Sequence, residues 1–345
     1  MKTATPPTNK RRPRISCRSR SKATKPPGIR IRNVLVPIDF SERSLGLLKY
    51  AHLFAGKFGA NLHVAHVYER DYPLTSVIGM PLALPPVQVA PGIRRHLRDV
   101  AKKQGIQLEP GHVHAIEGRA FEEICELARR HAIDLIVVAT RGNTGLKHLL
   151  LGSTAERIVR YCPCPVLVVH PVAKHTRTPA FGKIVAPIDF STCSRHGLEY
   201  AKALTRQFRS KLILLNSVVV QPYITSDEYA RYELTLLMQQ AEKAQHRQMR
   251  ELLEEKTWNE IDVAPSFQIG HAGQEICEKA IELQADVIIT STHGVTGFKH
   301  LLVGSTAEYV VRHAACPVLA VPSHKRSAFK WSKSERRRQP IIPNK

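Results

Sequence analysis

The sequence contains one stretch of 21 residues twice, about 150 residues apart. The first copy is TRGNTGLKHLLLGSTAERIVR, residues 140–160, and the second is THGVTGFKHLLVGSTAEYVVR, residues 292–312. Fifteen of the 21 aligned positions are identical, including the glycines and the whole Gly-Ser-Thr-Ala-Glu segment. Packing alone does not require such identity, because cores tolerate hydrophobic exchanges. The stretch therefore predicts a functional loop that each half of the chain carries.

The repetition extends to most of the chain. The segment NVLVPIDFS, residues 33–41, returns as KIVAPIDFS at residues 183–191, and residues 117–142 return as residues 269–294. A period of about 150 residues is far longer than the 20 to 50 residues of solenoid repeats. Each copy is therefore predicted to be a domain.

The chain divides into two domains and two basic tails. We expect the domains at residues 31–172 and 180–322, and disordered tails at residues 1–30 and 323–345. Residues 1–32 hold eleven Lys or Arg and no acid, and residues 323–345 hold eight against one Glu, so these two segments carry +18 of the formal charge of +22. Too few apolar residues remain there to offset the entropy of folding. Solvated tails are the simplest interpretation; an N-terminal transit peptide or weak contact with nucleic acid or an anionic surface are alternatives.

Composition excludes several classes of protein. Hydrophobic residues make up 43% of the chain, yet no run approaches the roughly 18 apolar residues that a membrane span needs. Seven cysteines without an apolar signal segment indicate a reducing compartment, so we expect a cytoplasmic protein. Cys162 and Cys164 are too few for a metal site, which needs about four ligands. The cysteines are therefore expected to act as small buried hydrophobes.

Each copy predicts an α/β fold. Short apolar runs without period-two alternation, bounded by Pro, Gly and Asp, are typical of parallel strands buried on both faces. Helical patterns lie between them, so the prediction is two tandem open parallel five-stranded sheets with helices on both faces. The copies differ most after the second strand. A Pro-rich passage around Pro81, predicted to be a flap or an interface arm, and a short helix over residues 93–104 stand where the second copy has a long helix over residues 226–256.

Polar residues follow the strands at the edge where open α/β sheets bind ligands. Asp39 and Asp189 each follow the first strand of a copy, where a carboxylate can accept hydrogen bonds from a ribose. The alternative is that these residues only cap the next helix. Ser41 and Ser191 fit that capping role better, which would leave the aspartates freer to contact a ligand.

The repeated loop combines glycines with a helix start. Nine residues separate Gly142 from the Gly-Ser-Thr segment of the first copy, and nine separate Gly294 from that of the second. Glycine permits close backbone approach, and a helix N-terminus directs amides at an anion, so the pattern suits a phosphate. The alternative is structural, because Ser-Thr-Ala-Glu at residues 153–156 and 305–308 matches a capping box.

These motifs resemble the universal stress protein family in its tandem, two-domain form. The resemblance covers about residues 31–172 and 180–322 and includes the PIDFS segments, the second strand ending at Val67 and the glycine loop. It implies a Rossmann-like, adenine-nucleotide α-hydrolase-like fold, domains that pair through their last strands, and ATP as the ligand, with Mg²⁺ as a candidate companion. It leaves open whether two chains pair again.

The resemblance implies two sets of binding residues. Adenine and ribose contacts fall on Pro37, Ile38, Asp39 and Val67 in the first copy, and on Pro187, Ile188 and Asp189 in the second. Phosphate contacts fall on Gly142, Gly152, Ser153 and Thr154, and on Gly294, Gly304, Ser305 and Thr306. The first glycine of the family motif is replaced by Ala139 and Ser291, and the second-strand valine of the second copy is replaced by Ser217. The second site is therefore the less certain one.

The sequence favours an ATP-binding regulatory protein of the stress response with little or no hydrolysis. It contains no GxxxxGK[ST], HExxH or GxSxG motif, so nothing predicts a dedicated hydrolytic site beyond a slow ATPase. The alternatives are a nucleotide-free interaction protein whose basic tails tether it to nucleic acid or membrane, and an enzyme that adenylates a substrate. The losses at Ala139 and Ser291 favour the former, and the latter lacks a second constellation of catalytic residues.

Overall fold

The computed structural model describes most of the two repeated units. The described residues are 29–69, 89–140, 151–170, 179–218, 228–292 and 303–322. The expected flap around Pro81, residues 1–28 and 323–345 of the expected tails, and the predicted site residues Gly142 and Gly294 lie outside them.

Within the described residues, each copy forms five strands and four α-helices in the same order. The elements of the first copy are β1 (Asn33–Pro37), α1 (Glu42–Phe58), β2 (Asn61–Tyr68), α2 (Val89–Lys103), β3 (Val113–Glu117), α3 (Ala120–Arg130), β4 (Leu135–Ala139), α4 (Ser153–Tyr161) and β5 (Val166–Val169). Those of the second are β6 (Lys183–Pro187), α5 (Thr192–Phe208), β7 (Lys211–Val218), α6 (Glu228–Leu253), β8 (Asp262–Ile269), α7 (Ala272–Glu282), β9 (Val287–Ser291), α8 (Ser305–His313) and β10 (Val318–Val321).

The ten strands make one sheet. Their order is β3-β2-β1-β4-β5-β10-β9-β6-β7-β8, and pairing within each copy is parallel. The predicted five-stranded sheets are thus the two halves of a larger sheet, joined where β5 and β10 pair antiparallel with Leu167 opposite Leu319. This pairing removes two edge strands whose backbone groups would otherwise be exposed.

Alternate residues of each strand face two helical layers. In β1, Val34 and Val36 pack with helices α1 and α2, whereas Leu35 packs with α3 and α4. Both layers are continuous across the β5–β10 junction, because α5 and α6 extend the first and α7 and α8 extend the second. Strands covered on both faces must be apolar throughout, which explains why the sequence shows no alternation.

Aromatic rings close the first layer across the junction. Phe54 of α1 is fully buried, and its ring centroid lies 5.2 Å from that of Phe181 and 5.5 Å from that of Phe208, both in the second copy. Phe58 stacks on Phe54 at 6.0 Å. These four rings form the junction cluster, which buries large apolar surfaces from both copies together.

Charged residues close the second layer. Arg160 of α4 and Arg312 of α8 each pair with the glutamate of their own helix, Glu156 at 2.9 Å and Glu308 at 2.8 Å. Each arginine also reaches the other helix's glutamate, at 3.7 and 3.5 Å. These side chains are about one third exposed, so the ion pairs add little to the free energy of unfolding. Their main effect is to hold α4 and α8 side by side.

Two cysteines depart from the sequence expectation. Cys125 of α3 and Cys162, directly after α4, form a disulfide, with their Cα atoms 5.0 Å apart. The expectation that the cysteines are only buried hydrophobes is therefore wrong for this pair, because the packing of α3 against α4 brings the two residues face to face. Burial raises the pKa of Cys277 to about 11 and that of Cys316 to about 12, so these thiols stay protonated at neutral pH.

Candidate functional site

A cavity of about 300 Å³ opens at the carboxyl ends of the first copy's strands. Four elements and the turns beside them supply its predicted residues. Pro37 ends β1, and Ile38 and Asp39 follow it; Val67 is the next-to-last residue of β2, and Ala139 ends β4. Gly152 is the N-cap of α4, and Ser153 and Thr154 begin that helix. All eight described residues of the predicted first site therefore line one space. The volume is at the lower end of the range for small-molecule sites.

The start of α4 points its first turn at this cavity without a capping side chain. Gly152 is the N-cap, with φ of −71° and ψ of 146°, and it has no side chain that could accept a hydrogen bond from the first-turn amides. The capping-box alternative is wrong here, because Ser153 is already the first helical residue, one position too late to cap. The same holds in α8, where Gly304 is the N-cap and Ser305 begins the helix. An uncapped helix start with two hydroxyls beside it suits an anion.

A buried hydroxyl also lines the cavity. Thr140, the residue after β4, is 1% exposed, and its Oγ1 has no hydrogen-bond partner within the described part of the chain. Its carbonyl oxygen accepts the Gly152 N–H at 2.6 Å, which ties the end of β4 to the start of α4. An unpaired buried hydroxyl costs about 1–3 kcal/mol, so a polar ligand atom in the cavity would relieve a real penalty.

The turn after β1 is held in a strained shape. Phe40 has φ of 62°, a conformation that bulky residues rarely adopt. The Asp39 carboxylate stabilises it, because Oδ1 accepts the Ser41 N–H at 3.0 Å and the Ser41 hydroxyl at 2.6 Å. Ser41 caps α1 as expected, accepting the Ser44 N–H. The expectation that this leaves Asp39 free is wrong for Oδ1, which anchors the turn.

His66 is a positioning residue that the sequence reasoning missed. Its Nδ1–H donates to the carbonyl oxygen of Ile38 at 2.7 Å and so fixes the floor of the cavity. In the second copy the Asn216 side-chain amide donates to the carbonyl oxygen of Ile188 at 2.8 Å. A polar residue at the same position of an otherwise apolar strand in both copies was the available signal.

The second copy has the same framework but different walls. Asp189 is exposed, and its Oδ1 accepts the Ser191 N–H at 3.0 Å. Ser217 stands at the position equivalent to Val67, and its hydroxyl donates a hydrogen bond to the Gly270 carbonyl oxygen at 3.3 Å. A polar side chain thus replaces the apolar one that lines the first cavity. Ser291 is 8% exposed, and a Cβ at Gly197 would lie 3.2 Å from its backbone nitrogen.

The remaining predicted residues of the second copy lie at the corresponding places. Pro187 ends β6, Ile188 follows it, and Thr306 stands in the first turn of α8. Gly304 N–H donates to the Thr292 carbonyl oxygen at 2.6 Å, as Gly152 does to Thr140. The framework is thus duplicated. One difference concerns α1 and α5: the first copy has Leu47, which lines its cavity, where the second copy has Gly197.

Comparison with known proteins identifies the fold and the repeat together. The model of the universal stress protein family matches residues 30–170 and again residues 180–322. The chain belongs to the universal stress protein family. Membership supports a role in the stress response, and the double match agrees with a tandem arrangement.

Curated universal stress proteins match one domain of this chain at a time. A universal stress protein of Methanocaldococcus jannaschii is 30% identical over 145 residues, which are 40% of this chain and 81% of the relative. The universal stress protein YxiE of Bacillus subtilis is 32% identical over 149 residues, 39% of this chain and 97% of the relative. These relatives correspond in length to one copy.

Solved structures match the two copies together. A protein from Pseudomonas aeruginosa PAO1 is 20% identical with a TM-score of 0.60, over 85% of this chain and 92% of its own. A universal stress protein from Archaeoglobus fulgidus is 21% identical with a TM-score of 0.56, over 85% and 98%. At these identities the likeness shows the fold alone. In the described part of this universal stress protein, no helix is both long and apolar enough to cross a membrane.

Proposed function

We propose that this universal stress protein binds ATP in the cavity of its first copy and that the bound nucleotide regulates a stress-response function. The proposal is supported by one observation: two groups of predicted binding residues, far apart in the sequence, line the same cavity. The residues after β1 form one wall and the start of α4 forms the other. A nucleotide spans such a pair of walls, with its base against one and its phosphates against the other.

The apolar wall suits an adenosine moiety. Pro37, Ile38 and Val67 line the cavity with apolar groups against which a base can pack, and Ile38 is 3% exposed. Asp39 stands at the edge of this surface, where its carboxylate can accept from a ribose hydroxyl while Oδ1 keeps the turn. His66 holds Ile38 in place, so the base wall is preorganised.

The helical wall suits the phosphates. Gly152 leaves the first-turn amides of α4 without a capping side chain, and Ser153 and Thr154 add hydroxyl donors. The Thr140 hydroxyl is a further donor that a phosphate oxygen could engage. The helix dipole adds about 0.3–1 kcal/mol for an anion at this end.

The same residues favour binding over hydrolysis. Asp39 is the single carboxylate among the described lining residues, and its Oδ1 is committed to Ser41. No second acid beside it is described that could position an attacking water, so we propose little or no ATPase activity. Mg²⁺, where it accompanies the nucleotide, would be held mainly by phosphate oxygens and water, as is usual for this ion.

We propose that the second copy binds ATP more weakly. Its helix start is equivalent, but Ser217 and Ser291 change the walls, and Asp189 is more exposed than Asp39. A cytoplasmic location and a further pairing of two chains stay predictions.

Two matched substitutions test the proposal. Gly152→Val and Gly304→Val place the same side chain at N-caps of nearly equal geometry, φ of −71° and −70°, which valine adopts without strain. Calorimetric titration of the full chain with ATP should show at least a tenfold weaker dissociation constant for Gly152→Val, about 1.4 kcal/mol, and a smaller change for Gly304→Val.

Two results would contradict the proposal, and each has a different meaning. Equal affinity in wild type and Gly152→Val would place the nucleotide elsewhere. No binding of ATP by the wild-type chain, and no adenine nucleotide released from freshly purified protein, would favour the nucleotide-free interaction protein instead.

A further inference from the structure

Four histidines of the first copy gather at the opposite end of the sheet from the cavity. His63 is the third residue of β2, His114 is the second residue of β3, and His112 lies in the short 3₁₀ turn before β3. His131 is the C-cap of α3. Because α3 runs back along the sheet, its end returns to the amino ends of the strands. We call these residues the histidine cluster.

The imidazoles of three members are within reach of a common ion. One nitrogen of each of His63, His114 and His131 lies within 4.8 Å of the other two. The His63 Nδ1 and His114 Nε2 atoms are 3.1 Å apart. A tetrahedral zinc ion with bonds of 2.0–2.1 Å separates its ligand nitrogens by about 3.3 Å, so this pair already has the required spacing.

The third and fourth rings are close enough to join. The His131 ring centroid lies 4.7 Å from that of His114 and 5.2 Å from that of His63. The His112 ring centroid lies 4.3 Å from that of His63. Rotation of these partly exposed side chains can therefore bring a third imidazole, and a fourth, onto an ion held by the first pair.

The interior of the cluster offers ring nitrogens to a cation. His63 is 3% exposed. Its Nδ1 and the His114 Nε2 share one hydrogen bond, so one of these two nitrogens carries the bridging proton. When an ion binds between them, that proton moves to the other nitrogen of its ring or to solvent, and both facing nitrogens offer a lone pair. Neutral imidazole is a preferred ligand of zinc, copper and nickel ions.

Backbone contacts fix the position of the third ligand. The Asn33 side-chain amide donates to the carbonyl oxygens of His131 at 3.2 Å and Ala132 at 3.3 Å. Asn33 in turn accepts from the Asn61 amide at 2.9 Å, at the start of β2. The end of α3 is thus tied to the strands that carry the other histidines.

The second copy shows that the fold does not require these histidines. Strand register aligns His63 with Ile213, since they stand opposite the equivalent residues Leu35 and Val185. Offsets of 150 to 152 residues give Ile213, Ala264, Ser266 and Leu283 at the four positions. Ile213 is 5% exposed and Leu283 packs against the same helical layer. Apolar packing is sufficient there, so the polar cluster of the first copy needs another explanation.

We propose that the histidine cluster binds a divalent transition-metal ion through His63, His114 and His131, with His112 or water completing the coordination. The ion would join β2, β3 and the end of α3. This site is separate from the nucleotide cavity and does not depend on it.

Zinc titration of the full, tag-free chain after chelator treatment tests the site. The variant His63→Ile/His114→Ser/His131→Leu carries the residues that the second copy uses, so it is designed to fold. His52→Ala, an exposed histidine of α1, is the control. We expect one tight zinc ion in wild type and in the control, and affinity at least about 100-fold weaker in the triple variant, because even outer-shell changes cost 10–100-fold.

Thermal unfolding supplies a second readout. Saturating zinc should raise the melting temperature of wild type by about 5 °C and leave that of the triple variant unchanged. Equal zinc affinity in wild type and triple variant, or no zinc binding by folded wild type, would overturn the proposal.

X-ray absorption of zinc-loaded wild type decides the question even if the triple variant does not fold. Three or four nitrogen neighbours at 2.0–2.1 Å are the expected result, and sulfur neighbours near 2.3 Å would overturn it by assigning the ion to cysteines.

Discussion

Replacement of Phe54 by alanine is expected to destabilise the whole chain, because this ring joins the two copies. Phe54 is fully buried, and it contacts Phe58 in its own copy and Phe181 and Phe208 in the other. Removal of a buried phenylalanine side chain costs about 3–5 kcal/mol. The two cross-junction ring pairs, at about 0.5–1.5 kcal/mol each, account for about 1–3 kcal/mol of that loss.

Urea unfolding of the full chain, followed by circular dichroism, measures the loss. Phe54→Leu is the matched control, because Leu204 occupies the equivalent position of the second copy and is itself fully buried. It should lose clearly less stability than Phe54→Ala. A double-mutant cycle with Phe208→Ala should give a coupling of about 1 kcal/mol. A loss below about 1 kcal/mol for Phe54→Ala, or no coupling to Phe208, would refute the argument that the junction cluster joins the copies.

Three further predictions concern buried or cross-linked groups. Lys202 is 2% exposed, with its Nζ 2.9 Å from Thr257 Oγ1 and 4.2 Å from the Trp258 ring, so Lys202→Met should keep the stem packing and leave urea stability within about 1 kcal/mol of wild type. The joint change Glu199→Ala/Glu255→Ala removes the two carboxylates and leaves the Lys202 cation buried, so it should lower the free energy of unfolding by about 1–3 kcal/mol. A larger loss of stability for Lys202→Met than for this double variant would contradict the reasoning. Cys125→Ser should cost up to about 4 kcal/mol under oxidising conditions, from the entropy of a loop of 37 residues, and nothing once reductant is present; equal stability without reductant would contradict the cross-link.

Most of the fold could be predicted, because each strand has its own apolar run and the same order of runs recurs about 150 residues later. Apolar runs such as that of β1, bounded by Pro37 and Asp39, indicated strands buried on both faces, and the structure confirms parallel pairing within each copy. The union into ten strands depends on the pairing of β5 with β10, for which the family resemblance was the only guide. A run of four apolar residues indicates a buried strand, but it does not indicate which other strand will pair with it.

The candidate site could be predicted only in part. Eight of the residues that line the first cavity were predicted from the strand ends and from the resemblance; others, such as Leu47 and Thr140, were not. The capping of α4 was not, because Ser-Thr-Ala-Glu fits a capping box by spacing, and only backbone geometry shows that Gly152 takes the cap. The histidine cluster was missed altogether, since its members are separated by up to 68 residues and meet only through the order of β2, β3 and α3.

We expect the first copy's cavity to hold an adenine nucleotide between the turn after β1 and the start of α4. The most direct measurement is calorimetric titration of the nucleotide-stripped full chain with ATP, beside the paired variants Gly152→Val and Gly304→Val. We expect the wild-type chain to bind ATP, Gly152→Val to weaken this binding at least tenfold, and Gly304→Val to weaken it less. Absence of ATP heat in the folded wild-type chain, or equal affinity in all three proteins, would contradict it.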